Sequence, residues 1–98
     1  MFVKIHKSYR NVIAICDSEL IGKKFEEGKT LLDVKEGFYK GEEMTPEEVE
    51  EIMIDMSMED STFNIIGKES IRIALGTRLI SPEGVKTIQG IPYSLVLM

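Results

Sequence analysis

Apolar residues recur along the chain with two different periods. Near its start, Phe2 to His6 and Asn11 to Cys16 are strand-like runs rich in β-branched residues, separated by Lys7-Ser8-Tyr9-Arg10. A four-residue loop there predicts an antiparallel hairpin that pairs His6 with Asn11 and Met1 with Cys16. Alternation with period 2 then puts Met1, Val3, Ile5, Val12, Ala14 and Cys16 on one apolar face. Phe2, Lys4, His6, Asn11, Ile13 and Ile15 fall on a mixed one. Residues 18 to 29, interrupted by Gly22 and Gly28, read as a loop with one brief helix, and Thr30 to Lys35 as a third short strand.

The second period is helical. Val49, Ile52, Met53 and Met56 recur at i, i+3, i+4 and i+7, the spacing of one buried stripe. The start of that helix is marked several times over. Thr45 is a good N-cap, Pro46 suits the first helical position, Glu48 completes a T-x-x-E capping box, and Met44 can staple to Val49. Thr62 to Ile66 then reads as an apolar strand. Ile71, Ala74 and Leu75 give the following segment helical spacing. Ser81-Pro82-Glu83-Gly84 is a turn signature, leading to strands at Val85 to Ile88 and Ile91 to Leu97, with Pro92 at the start of the last. The prediction is one α+β domain over 1–98. It has two layers: five to six short, mainly antiparallel strands, with helices at about 45–58 and 68–78 on one face.

Composition narrows the setting. Ninety-eight residues, 43% hydrophobic and 30% charged, describe an ordinary globular chain. A single cysteine, Cys16, and a single histidine, His6, exclude an intramolecular disulfide framework and a Cys/His zinc cluster, which points to a reducing compartment. Lys4, His6, Lys7 and Arg10 interrupt the N-terminal apolar run, and no stretch approaches the ~20 apolar residues of a membrane span. The expected location is the cytoplasm.

The net charge of −5 conceals an asymmetry. Nine of the 17 acidic residues (Glu42, Glu43, Glu47, Glu48, Glu50, Glu51, Asp55, Glu59 and Asp60) lie between 42 and 60, where there is no Lys or Arg. All 12 basic residues and the remaining eight acidic ones lie elsewhere, so an acidic segment is joined to a mildly basic body. A solvated helix face explains this most simply, and a protein partner or a homo-oligomer stays open.

Few residues offer chemistry. A Cys16/His6 dyad would need hydrogen-bond reach, but the predicted register leaves the two ~17 Å apart at ~3.3 Å per residue, on opposite faces. Cys16 reads as a small buried hydrophobe, with a lone reactive thiol before Asp17-Ser18 as the alternative. Glu47, Glu50, Glu51 and Asp55 could share a divalent cation, yet no calcium loop or histidine pair accompanies them. Met44, Met53, Met56 and Met58 could form an adaptable groove or thioether ligands, but two of them lie on the core stripe. The reading is therefore no metal and no cofactor.

The closest approach to a site is FNIIGKESIRIAL, residues 63 to 75. A phosphate loop needs glycine five residues before Gly67 and Ser or Thr straight after Lys68. Thr62 and Glu69 stand there instead, and Glu69 brings negative charge where phosphate would sit. What remains is a strand-to-helix junction whose free N–H groups, with Lys68, could hold a small anion, or whose glycine only serves a tight turn.

Taken in order, AICDSELIGKKFEEG, FYKGE, NIIGKESIRIAL, LISPEGV and IQGIPYSLVL resemble the archaeal domain-of-unknown-function family 424, small uncharacterised α+β proteins. The resemblance spans nearly the whole chain. It rests on Cys16-Asp17, Gly22-Lys23, Asn64 with Gly67, and Gly90 with Pro92; Tyr93 stands where relatives carry histidine, which weakens any catalytic histidine there. It implies the fold and an archaeal cytoplasmic setting, with no established activity.

Three functional readings follow. The leading one is a non-enzymatic binding or accessory protein. The second is an RNA- or ribosome-associated factor using Lys4, Lys7, Arg10, Lys23, Lys24, Lys68 and Arg72, with Tyr9, Phe38 or Tyr93 stacking on bases; the overall acidity opposes tight non-specific binding. The third is a small-molecule enzyme whose pocket brings together Asn64, Gly67 and Tyr93, with Lys68 and Gly90 beside them.

Overall fold

The computed structural model describes residues 1–98. Its main sheet is built from β1 (Phe2–His6), β2 (Asn11–Cys16), β5 (Glu42–Glu43), β6 (Ser61–Ile66), β7 (Lys86–Ile88) and β8 (Ile91–Leu97). They lie in the order β5-β1-β2-β6-β8-β7. Every neighbouring pair is antiparallel except β2 and β6, which run parallel with Asn11 opposite Ser61 and Cys16 opposite Ile66. The predicted α+β class and the mainly antiparallel sheet are what the chain forms.

Helices α2 (Pro46–Met56) and α3 (Lys68–Gly76) pack on one face of this sheet. Their sequence signals explain them. Thr45 Oγ1 accepts from the Glu48 N–H at 3.2 Å while a Glu48 carboxylate oxygen accepts from the Thr45 N–H at 3.0 Å, so the capping box closes in both directions. Val49 and Met53 are buried and Ile52 and Met56 half-buried against Ile13, Ile15, Phe63 and Ile65 from the central strands. Both helices end about two residues before the expected 58 and 78, in αR residues that continue the last turn.

The opening hairpin has a different register from the one the loop length suggests. Phe2 pairs with Cys16 and His6 with Val12, one residue out of step with the expected pairing. A one-residue slip exchanges faces, so Val3 and Ile5 share theirs with Ile13 and Ile15, not with Ala14 and Cys16. Packing supplies the reason: the larger face, under the two helices, takes the four bulky β-branched residues. The small side chains of Ala14 and Cys16 turn to the other side.

That other side has its own cover. A 3-10 turn at Ser18–Leu20, the hairpin β3 (Lys24–Glu27) and β4 (Thr30–Asp33), and the one-turn helix α1 (Glu36–Tyr39) lie over it. Leu20, Val34 and Tyr39 are buried there with Ala14, Cys16 and Ile66. The hairpin falls partly in the stretch expected to be a loop. Its strands join through Gly28-Lys29, with Glu27 opposite Thr30 and Gly28 at φ +62°, the positive first position of a two-residue II′ turn.

Candidate functional site at the strand ends

The one parallel pair creates the most site-like location in the molecule. After β2 the chain turns to the face of the smaller core, where Leu20 packs, and after β6 it turns to the opposite face as α3. Where neighbouring parallel strands send their connections to opposite faces, a crevice opens at their carboxyl ends, and ligands commonly bind there. Cys16-Asp17 and Ile66-Gly67 stand at this point. The backbone closes over it, with the Asp17 N–H donating to the Ile66 carbonyl at 3.0 Å and the Gly67 N–H to the Pro92 carbonyl at 2.9 Å.

The crevice is filled from within. Asp17 is only 4% exposed, and its carboxylate lies across the start of α3. It accepts from the Glu69 N–H at 3.0 Å, the Ser70 N–H at 2.9 Å and the Ser70 hydroxyl at 2.8 Å. These are the N–H groups that a helix start leaves free, and a carboxylate complements the positive end of the helix dipole. Asp17 therefore takes the place a bound anion would take, and it joins the end of β2 to α3 through charge-assisted bonds.

Gly67 makes this possible in two ways. Its φ of +115° and ψ of 155° fall in a region essentially reserved for glycine. A side chain there would also collide with the cap, since an added Cβ would lie 2.6 Å from each Asp17 carboxylate oxygen. The glycine inside the apparent phosphate loop thus makes room for the protein's own carboxylate. Lys68, the next residue, is exposed.

Cys16, immediately before the cap, is fully buried. Desolvation, reinforced by the negative charge of Asp17, pushes its thiol up to about 12, so at neutral pH it is a protonated core side chain and not a nucleophile. Tyr39, over the same patch, is likewise pushed up to about 12 by burial, with Cys16 adding to it. His6 lies on the same face as Cys16, a correction to the expected opposite faces that follows from the register. It remains at the far end of the strand, four residue positions away, and stacks on Phe38 at a centroid distance of 4.6 Å while Nε2 bonds the Phe38 carbonyl oxygen at 2.9 Å.

The other candidate ligand residues surround this end of the sheet. Tyr93 is half-buried against the smaller core and pairs with Ile66. Asn64 is two residues before Ile66 on the same face, opposite Ala14 and Leu95. Gly90 is in the exposed β7–β8 turn, where Gln89 at φ +50° and Gly90 at φ +78° form the I′ geometry of a tight hairpin. These residues converge on one end of the sheet but do not line a cavity. The one cleft in the surface, about 210 Å³, is elsewhere, between the C-terminal ends of α2 and α3, lined by Met53, Met58, Leu79 and Met98 among others.

The candidate RNA-contacting cations divide into two groups. Lys4 donates to the Gly37 carbonyl at 2.8 Å, Arg10 clamps the Met98 carbonyl at 2.8 and 3.0 Å, and Arg72 pairs with Glu69 at 2.7 Å. Lys7, Lys23, Lys24 and Lys68 are exposed. Lys7, beside the fully exposed Tyr9, is in the β1–β2 loop, whereas Lys23 comes after the carboxyl end of β2 and Lys68 after that of β6, the opposite end of the sheet. No three acidic, histidine or cysteine side chains come together as a group able to hold a metal ion.

Sequence reasoning missed the role of Asp17 as the cap of α3. Its partners are 52 and 53 residues away, and the only local hint was an acidic residue directly after a buried strand.

The fold and its strand-end geometry define a class: an α+β domain with one parallel strand pair in an otherwise antiparallel sheet, and a carboxylate cap at the switch point between them. The chain belongs to the family described as protein of unknown function DUF424, whose model matches residues 6–98. Its fold is similar to the crystal structure of an uncharacterized conserved protein from Methanopyrus kandleri, with a TM-score of 0.81 at 21% identity, covering 98% of this chain and 90% of that one. No curated protein matches the chain in sequence. No helix is long and apolar enough to cross a membrane.

Proposed function

We propose that the protein is a non-enzymatic binding or accessory protein of the archaeal cytoplasm. The observation that carries this reading is the closed strand-end crevice. The location where a sheet of this kind would hold a ligand or a reacting group is occupied by the Asp17 carboxylate, bonded to Glu69 and Ser70. The adjacent thiol is held protonated by burial. A catalytic constellation needs an activated group within reach of a substrate position, and neither residue supplies one.

The reading is tested by incubating the purified protein with a panel of nucleotides, amino acids, sugars and phosphorylated metabolites, following thermal stabilisation and turnover together. Stabilisation without turnover, or neither, agrees with it. Conversion of any member of the panel, lost when the strand-end residues are substituted, overturns it. Binding to RNA is the competing reading, and its weakness is that Lys4, Arg10 and Arg72 are engaged within the fold. Retention of structured or single-stranded RNA in a mobility shift at low salt, weakening steeply as salt rises, would favour it instead.

A further inference from the structure

The sheet has one unguarded edge, and its position is specific. β7 pairs with β8 only from Ile91 to Tyr93, and the Ser94 hydroxyl still donates to the Gly84 carbonyl at 2.9 Å, so from Leu95 onward β8 has a ladder neighbour on one side alone. The direction of its free groups follows from the ladder. The Met98 N–H donates to the Ser61 carbonyl, and Gly67 to that of Pro92, so even-numbered residues of β8 bond inward to β6. The N–H and C=O of Leu95 and Leu97 therefore point outward, away from β6 and beyond the end of β7. Their side chains are 62% and 72% exposed.

Natural sheets blunt such edges with charge, proline or cover, and this protein does so at its other margins. β5, at one edge, is two glutamates. β7, at the other, carries Lys86 and is tied to the small hairpin, where Gln89 donates to Glu27 and to the Glu26 carbonyl. The free part of β8 and the residue after it, Leu95-Val96-Leu97-Met98, have no charged side chain, proline or glycine.

We infer that this edge is a homodimer interface, in which the free half of β8 pairs antiparallel with the same segment of a second copy. Self-complementarity singles out that occupant. An antiparallel pair about a two-fold axis places one segment against itself, and an uncharged segment meets its copy with no like charges opposed, which would be destabilising. A foreign strand would need pockets selecting its side chains, and Leu95 and Leu97 project as free side chains instead.

The register follows from the outward groups. Leu95 opposite Leu97 of the second copy, repeated by symmetry, uses both outward-facing residues of each chain and forms four backbone hydrogen bonds, with Val96 on the axis. Leu95 opposite its own copy would bring the second copy's Leu97 onto Tyr93, which Lys86 already occupies. The favoured register also puts the exposed leucines side by side on one face of a continuous twelve-stranded sheet.

Sedimentation over a range from micromolar to about millimolar protein tests it. The expected mass rises from the 11.1 kDa monomer to twice that value. Leu95→Pro removes one outward N–H without touching the bonds to β6, and Leu97→Lys adds edge charge at an exposed position; each is expected to weaken dimerisation at least tenfold. Val96→Cys places two thiols across the axis, where opposed residues of a non-hydrogen-bonded pair have Cα atoms ~4.5 Å apart, within disulfide range. It should oxidise to a dimer at least tenfold faster than Leu95→Cys, whose copies are offset by two residues. A wild-type protein that stays monomeric throughout, a dimer indifferent to both edge substitutions, or equal cross-linking of the two cysteine variants overturns the inference. If an edge variant fails to fold, the wild-type mass and the cross-linking comparison decide it.

Discussion

Replacing Gly67 with alanine should cost more than its backbone conformation alone explains, and the excess should disappear when Asp17 is removed. Alanine at φ +115° carries strain of about 1–3 kcal/mol. Its Cβ would also stand 2.6 Å from both carboxylate oxygens of Asp17, forcing the cap away from the Glu69 and Ser70 N–H groups. Removing an N-cap costs about 0.5–2 kcal/mol. Here the cap is a buried carboxylate with three donors, and hydrogen bonds to charged groups contribute about 1.5–3 kcal/mol each without adding fully. Part of that is offset by the cost of desolvating the carboxylate. Asp17→Ala is therefore expected to lose about 3 kcal/mol, and Gly67→Ala about 3–5 kcal/mol. In the double variant only the strain of Gly67→Ala remains, so the two costs together should fall short of their sum by about 2 kcal/mol. Urea unfolding followed by circular dichroism measures all four corners of the cycle, within the 5–15 kcal/mol typical of a folded protein. Costs that add to within about 0.5 kcal/mol would refute the idea that Gly67 exists to admit Asp17.

Other expectations follow from the same packing. Thr45→Ala breaks the capping box at the start of α2 and should cost about 1 kcal/mol, lowering Tm by about 4–8 °C for a chain of this size; an unchanged Tm would mean the helix start is fixed by packing alone. The Cys16 thiol ionises at 9.0 in its ordinary environment and is pushed up to about 12 in the fold. Above pH 9 the unfolded chain therefore binds fewer protons than the folded one, so stability is fully present below pH 9 and is lost between there and about 12. Urea midpoints between pH 8 and 10.5 should fall, and fall less steeply in Cys16→Ala; equal slopes would contradict the burial argument. The hydroxyl of Ser61 is buried without a partner, so Ser61→Ala, which removes an unsatisfied group, should leave stability unchanged or raise it by up to about 1 kcal/mol. A loss above about 1 kcal/mol would reveal a bond that the fold does not show.

What could be read from the sequence, and what could not, separates by distance along the chain. The start of α2 was legible because Thr45, Pro46 and Glu48 act on one another within a single turn, and the capping box formed as expected. The order of the longer strands and of the two main helices was likewise written in local periodicity, whereas the short α1 and β5 were not. The hairpin register was not, because period 2 is satisfied equally well by either alternation of β2, and only the size of the two cores decides which set of side chains goes where. β3 was missed because Lys24-Phe25-Glu26-Glu27 contributes one half-buried residue, Phe25, to a core and so has almost no apolar pattern. At the strand ends, Gly67 was recognisable as a turn into a helix. The identity of the group it makes room for depended on a contact more than fifty residues away. The resemblance to family 424 marked both Asp17 and Gly67, but a motif match does not say that the two touch.

The helix start beside Gly67 is satisfied by the protein's own Asp17 and is not an anion site. Backbone ¹H–¹⁵N spectra of uniformly labelled protein, recorded while inorganic phosphate is titrated at constant ionic strength, test this directly. In the wild-type protein Gly67, Lys68, Glu69 and Ser70 should show no saturable shift, and Glu69 and Ser70 should exchange slowly, becoming fast in Asp17→Ala. Saturable shifts at those four amides in the wild-type protein, or fast exchange at Glu69 and Ser70 with Asp17 present, would contradict it.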